Sequence, residues 1–346
     1  MVAPEAGKSV RRAHLALFDA TTLTAKGIRD RLVARSFPTA SVRMFTSGAD
    51  PDANLTEFAG EAMLVTRPDI DTLHDLDIAF LCGARQEGER YLDWAGRAGF
   101  VAIDLTRASS GDDKATPVNA AVNPEAIRNG PGVIATPHPV AQMLSTLLDP
   151  IRRRCGLEEA VVIVLQPASE RGDPGIDELY QQGLSLMNFS ELPRHIFGRQ
   201  LAFNLIPGHL AEEARSTSAT RADIEREVRR ITGGDYRLAV QTIQAPVFHG
   251  HAAMAHIVLP GGKGREDLLA AMKESEDITV GSRGAKATPV ERAGEGGVLV
   301  SEVRQGVNES SFWIWAVVDD MVGGTSLNAV RIAEILLERG LGRGVV

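Results

Sequence analysis

Residues 14–37 read HLALFDATTLTAKGIRDRLVARSF. His14–Phe18 is an apolar run of strand length, and after a polar turn the apolar residues return at helical spacing over Ile28–Phe37. The same alternation continues downstream. Ile78–Cys82 reads as strand, Glu89–Ala98 as helix, and Val101–Leu105 and Val133–Thr136 as two more strands. Buried strands separated by helices predict βαβ units, and therefore an α/β domain built on a doubly wound parallel sheet.

From residue 160 the pattern changes. Ala160–Gln166, Ala202–Pro207, Tyr236–Phe248, His251–Leu259 and Phe312–Val318 read as strands, several of them long and alternating, with Asp223–Ile231 and Arg265–Ser275 as helices. Alternation over long strands is the mark of a mostly antiparallel sheet in an α+β unit. A last helix is expected from the Gly323-Gly324-Thr325-Ser326 turn, capped by Ser326 or Thr325, with Leu327, Val330, Ile332, Ile335 and Leu336 apolar and packing back on the first domain. Gly281–Gly297 lacks periodicity and reads as an exposed loop. The expected organisation is a first domain over 1–142, completed by the helix 326–346, and a second over 143–325.

With 346 residues, 44% apolar and 24% charged, the chain has the composition of an ordinary globular protein of two domains. A net charge of −8 argues against nucleic-acid or anionic-membrane partners. No apolar run approaches the roughly 18 residues of a membrane span, and the first residues lack the apolar core of a signal peptide, so a cytoplasmic location is expected. Cys82 and Cys155 are too few for a disulfide framework.

Nine short segments then appear in a fixed order: Phe18-Asp19-Ala20-Thr21; Ala102-Ile103-Asp104; Val122-Asn123-Pro124-Glu125; Ile134 to Pro139; Gln166 with Ser169; Gly175 to Leu179; Ala202 to Pro207; Pro246 to His251; and Asn328-Ala329-Val330. In this order they resemble the aspartate-semialdehyde dehydrogenases and the related USG-1 proteins across nearly the whole chain. The resemblance implies a Rossmann-type domain joined to a dimerisation domain, and a homodimer. It also implies a chemistry: a cysteine at a helix N-terminus attacks the aldehyde, hydride passes to NADP, and phosphate releases the acyl group.

Several requirements of that chemistry are missing. The family's Asn-Cys-Ser reads His138-Pro139-Val140, and proline, although well suited to begin a helix, is no nucleophile. The glycine-rich dinucleotide loop becomes Asp19-Ala20-Thr21-Thr22-Leu23-Thr24-Ala25, without its three glycines and with an added carboxylate. Thr21 and Thr24, with the first-turn amides, are the groups there that could hold a smaller ligand, although capping is the commoner role of such threonines. The family's anion-binding positions fall on Ser110, on Gln244, near Thr220 to Asp223, and on Asp320-Met321-Val322-Gly323-Gly324, so positive charge is lost at four places. His251 keeps the general-base position and Gln166 the position beside the nucleophile.

The remaining candidates are weaker. His249 and His251 would share a strand face, with His256 beyond, but no third ligand stands at useful spacing and no metal is expected. Cys82 reads as core packing, and Cys155, after three arginines, as an inert helix-end thiol. Two readings of function stand. In one the chain is a pseudoenzyme: His251 and Gln166 are vestigial, no cofactor is expected, and the protein acts as a dimer binding a small ligand or another protein. In the other it is an active NADP-dependent oxidoreductase with an altered substrate and mechanism. Assembly with a catalytic paralogue would also explain a retained interface.

Overall fold

The fold was obtained as a computed structural model, which describes residues 11–48, 55–110, 116–213, 220–281, 287–320 and 322–340. The first sheet holds β1 (Ala13–Phe18), β2 (Thr39–Phe45), β3 (Leu55–Phe58), β4 (Glu61–Thr66), β5 (Ile78–Leu81), β6 (Val101–Asp104) and β7 (Gly132–Ala135), with α1 (Leu23–Ala34) and α2 (Arg85–Ala98) as crossovers. Its order is β3-β4-β2-β1-β5-β6-β7, parallel throughout except for the β3–β4 hairpin. Successive residues of β1 point to opposite faces. Leu15 and Leu17 enter a core shared with α1, whereas Ala16 and Phe18 enter one shared with α2. The strand order reverses at β1, which lies between β2 and β5 and so creates a crevice at the carboxyl ends of those strands.

The second sheet carries β8 (Glu159–Gln166), β9 (Ile206–Pro207), β10 (Arg237–Gln244), β11 (His251–Val258), β12 (Ile278–Val280), β13 (Val298–Gln305) and β14 (Ser311–Val318), ordered β12-β13-β14-β11-β8-β10-β9. The β8–β10 and β12–β13 contacts are parallel and the other four antiparallel, as a mostly antiparallel sheet requires. Helices α3 (Pro139–Cys155), α6 (Arg221–Thr232) and α7 (Arg265–Lys273) cover one face, with Leu144, Leu147, Val228 and Met272 packed on Val162, Val164, Val240 and Ala255. Helices leave the other face partly exposed among the described residues, although Ala252, Leu299 and Val317 are buried at one end of it and Trp315 Nε1 donates to the Ala287 carbonyl at 2.7 Å. Ile163, Met254 and Trp315 lie in register across it, as do Val161, His256 and Trp313, and Val161 and Ile163 are each 40% exposed.

The remaining helices are α4 (Gly172–Met187), α5 (Gly208–Glu213), α8 (Pro289–Arg292) and α9 (Thr325–Glu338). Helix α9 returns to the first sheet, where Ala329, Val330, Ile332, Ala333 and Leu336 join the core containing α1. Asn328 fixes its height. The side chain accepts from the Ala120 amide and donates to the Val118 carbonyl, at 2.8 Å each.

Five expectations from the sequence are corrected. The strand expected over Ala202–Pro207 shrinks to Ile206–Pro207, because the buried side chain of Gln182 takes the Leu201 and Ala202 amides and Phe203 turns to a positive φ of 58°. The strand expected to reach Phe248 stops at Gln244, before Pro246, which has no amide to donate. His249 is outside β11 and separated from His251 by Gly250 at a φ of 86°, so the two imidazoles share no strand face. Within the expected loop Gly281–Gly297, residues 282–286 lie outside the described part, and the rest contains α8, begun by a Thr288–Glu291 capping box and anchored by the buried Arg292, which pairs with Glu295. The cap of α9 is Gly324 rather than Thr325 or Ser326.

Removing the Asn328 side chain orphans two buried backbone groups at about 1–3 kcal/mol each. Asn328→Ala is therefore expected to lower the free energy of unfolding in denaturant by about 2–5 kcal/mol, well beyond a surface substitution.

Candidate active-site cleft

The carboxyl ends of β1, β5 and β6 face the beginning of α3, and between them and the second sheet opens a cleft of about 580 Å³. Helix α3 starts as its sequence dictates. Pro139 is the first helical residue, where its missing amide costs nothing, and His138 is the N-cap, its Nδ1 accepting the Val140 amide at 3.1 Å. An Nδ1 that accepts a hydrogen bond carries no proton, so the ring hydrogen of His138 is at Nε2. That nitrogen donates to Glu170 Oε1 at 2.8 Å.

Glu170 lies on the 3-10 turn Ala168–Arg171 between β8 and α4. Its second oxygen, Oε2, lies 2.8 Å from Nε2 of His251, the first residue of β11. A buried carboxylate therefore bridges two buried histidines from separate segments. Burial raises the Glu170 pKa, but the hydrogen bonds from His138 and His251 and the charge of His251 hold it well below the ordinary carboxylate value. For His251 burial acts downward, and the hydrogen bond and charge of Glu170, aided by Asp320, leave its pKa raised. Asp320 is itself held by the Ser169 hydroxyl and the Gly250 amide, both at 2.5 Å.

A second carboxylate supports the helix start. Glu227 on α6 accepts the His138 amide at 2.7 Å through Oε2 and Arg107 Nη2 at 2.6 Å through Oε1. Arg107 has a φ of 64° and leaves Nη1 without a hydrogen-bond partner at the cleft wall. Arg85 and Arg171 line the same cleft, together with the first residues of α2, α4 and α9, none of which has a side-chain N-cap. Helix N-termini and arginines favour negative charge.

Of the residues singled out from sequence, Pro139, His251, Gln166 and Thr24 line this cleft, and Thr21 does not. Thr21 is exposed, and Thr24 offers its carbonyl to the Ser326 hydroxyl. The residues at which the resemblance would place anion-binding groups have other partners. The Ser110 hydroxyl donates to the Arg107 carbonyl at 2.6 Å, and Gln244 Nε2 donates to the Gln166 and Pro167 carbonyls at 2.9 and 2.7 Å. Asp223 closes a capping box with Thr220. Met321, in the last of these segments, lies outside the described residues. Glu170, Glu227 and Arg107 were missed in the sequence, although Glu170 follows directly on Ser169.

The crevice beside β1 does not fit a dinucleotide held at a glycine-rich turn. Asp19, at a φ of 55°, directs its carboxylate to the Ser47 amide and hydroxyl at 2.9 and 2.7 Å. It lies against Gly83 so closely that a Cβ there would fall 1.9 Å from its oxygen. Thr22 caps α1, accepting the Ala25 amide at 3.3 Å, and its hydroxyl is within reach of the Asp19 and Cys82 carbonyls at 3.0 and 3.1 Å. A buried negative charge and a capping side chain thus stand where a pyrophosphate would need glycine backbone. Burial, with the Asp19 charge, pushes the Cys82 thiol far up, and burial also raises Cys155, so neither is an activated thiolate. Among the described residues no cluster of three metal-ligating side chains occurs, and no helix is long and apolar enough to cross a membrane.

A doubly wound domain joined to a mostly antiparallel one, with a helix start and a histidine meeting between them, defines the class of the semialdehyde dehydrogenases. Their NAD binding domain matches residues 15–130 and their dimerisation domain residues 148–322. The aspartate-semialdehyde dehydrogenase of Rickettsia conorii is 27% identical over 96% of this chain and 99% of its own length. Aspartate-semialdehyde dehydrogenase 2 of Vibrio cholerae is 28% identical over 94% and 97%. The crystal structure of aspartate semialdehyde dehydrogenase II from Vibrio cholerae, complexed with ASA, superposes with a TM-score of 0.87 at 26% identity, covering 95% of this chain and 99% of that one. The chain belongs to the aspartate-semialdehyde dehydrogenase family.

Breaking a buried charge pair by removing one partner costs about 3–5 kcal/mol. Glu170→Ala is expected to destabilise the protein by that order, with a definite pH dependence. The depressed Glu170 contributes stability above the unfolded value near pH 4.3, lost as the pH falls through the folded value. The raised His251 contributes stability fully below about pH 6.5, lost as the pH rises through its folded value. The gap between wild type and variant in urea unfolding should therefore be widest between about pH 4.5 and 6.5; a gap independent of pH would contradict the assignment.

Proposed function

We propose that this chain does not carry out the semialdehyde dehydrogenase reaction and acts instead as a dimeric protein that binds a small anionic ligand in the cleft. The observation that carries this reading is Glu170 held between His138 and His251, with proline at the start of α3. A thioacyl intermediate needs a thiolate, and the two cysteines of the chain are buried thiols with raised pKa. A general base needs a free nitrogen facing its substrate, and the Nε2 of His251 is committed to Glu170. Asp19 at the crevice supports a cleft without NADP. The uncapped helix starts, with Arg85, Arg107 and Arg171, support an anion as occupant. In this reading His251 and Gln166 are vestiges that hold the cleft in shape.

The competing reading, an NADP-dependent oxidoreductase of altered substrate and mechanism, draws on His251 and Gln166 lining one cleft. Aspartate semialdehyde, phosphate and NADP added to the purified protein separate the two. No NADPH is expected to form above buffer, and calorimetric titration with NADP, NADPH or NAD should give no heat, whereas small di- and tricarboxylates or phosphate should bind and lose affinity in Arg107→Ala. Pro139→Cys alone is expected to restore no turnover. NADPH formation by the wild type would overturn the proposal.

The partly exposed face of the second sheet supports a second copy of the chain as its cover, since Val161 and Ile163, each 40% exposed, stand in an apolar row with Met254, Trp313 and Trp315. Sedimentation is expected to give a homodimer, and Ile163→Arg a monomer. A wild-type monomer would instead support assembly with a paralogue or another partner.

A further inference from the structure

Behind His251 lies a second, much smaller space of about 20 Å³. The imidazole partitions it from the cleft, because His251, Pro139 and Asp320 line both. Two buried side-chain atoms on its lining residues have no hydrogen-bond partner, Oε1 of Gln142 and Nδ1 of His251. Both side chains are fixed at their other end. Gln142 Nε2 donates to the Gly324 carbonyl at 3.1 Å, and His251 Nε2 meets Glu170 at 2.8 Å. The other polar groups around the space are already engaged: Asn119 Nδ2 donates to the Ser145 and Thr146 hydroxyls, Asn328 is bonded to the Val118 and Ala120 backbone, and Asp277 pairs with Arg331.

Each orphaned buried polar atom costs about 1–3 kcal/mol, and buried waters are the usual remedy where a polar space holds at least one probe volume, about 10–15 Å³. The space here exceeds that minimum and is too small for an organic ligand. We propose that a single buried water occupies it, accepting a hydrogen bond from Nδ1 of His251 and donating one to Oε1 of Gln142.

The consequence concerns the histidine itself. With the water as acceptor, Nδ1–H is satisfied while Nε2–H points to Glu170, so His251 holds both ring protons and pairs with Glu170 as an imidazolium. Without the water, a proton at Nδ1 would be buried and unpartnered. The charged groups facing His251 agree with this direction. Glu170 from the turn before α4 and Asp320 after β14 are acidic, and His138 from the start of α3 uses its Nδ1 lone pair in the cap. On the cavity side Asp277 is matched by Arg331. The water site is independent of whether the cleft binds an anion or retains catalysis.

A crystal structure of the full chain at high resolution is expected to show one ordered water within hydrogen-bonding distance of both atoms, and nitrogen-15 NMR at neutral pH two protonated ring nitrogens on His251. Gln142→Leu, which removes the acceptor, should lower the His251 titration midpoint by about one unit, tenfold in proton affinity, and erase the Nδ1 proton signal. Gln142→Glu, which keeps an acceptor, should not lower it. An empty space in the wild-type density, or a midpoint unmoved in Gln142→Leu, would overturn the proposal. Should the leucine variant fail to fold, the wild-type density and ring-nitrogen shifts decide alone.

Discussion

A carboxylate nearly removed from water stays charged only if its lone pairs are filled, and the junction of this molecule is organised around filling those of Glu170. One oxygen takes a proton from the N-cap of α3 and the other from the first residue of β11. Because the turn that carries Glu170 joins β8 to α4, a single side chain ties together the start of α3, the second sheet and the helix beyond it. Such a group resists movement in a way an apolar contact does not, since displacing it by an ångström strands a charge rather than merely opening a gap.

Glu227 repeats the device one layer out. It receives the His138 amide and Arg107, and so holds the cap residue by its backbone while Glu170 holds it by its ring. His138 is thereby fixed at three atoms, Nδ1, Nε2 and the amide nitrogen. A histidine so constrained is a structural cap with a defined tautomer, and the proline after it needs no amide partner. The start of α3 is therefore held through both the ring and the amide of its cap residue.

The fold was largely legible in the sequence because burial writes itself into periodicity. Leu15–Phe18 and Ile78–Cys82 are apolar throughout because both faces of their strands are covered. β8 and β10 alternate because only one face is. The failures have local causes. The segment around Phe203 has strand-like residues, but its amides are claimed by Gln182, nineteen and twenty positions earlier in sequence, which no local pattern displays. Helix α4 is not among the expected elements; it begins with Gly172, Asp173, Pro174 and Gly175, residue types that favour turns. At the site, the proline at the start of α3 and the absence of glycine from the Asp19–Ala25 loop were plain from residue types alone. The part played by Glu170 was not, because Glu170 acquires its meaning only when β11 and α3 bring His251 and His138 to its two sides.

The electrostatics of the cleft run against those of the chain. The sequence carries a net charge of −8, yet Arg85, Arg107 and Arg171 converge with three uncapped helix starts on one recess. Screening confines the influence of exposed charges to about 8–10 Å at physiological ionic strength, so the acidic exterior does not cancel a basic interior wall. What a small anion meets is decided by the nearest groups, and among these Glu170 is paired with His251 and hydrogen-bonded by His138, and Asp320 is held by Ser169 and Gly250. A carboxylate so paired therefore does less to repel a ligand from the arginines beside it than a free one would, which is the electrostatic basis of the anion-binding proposal.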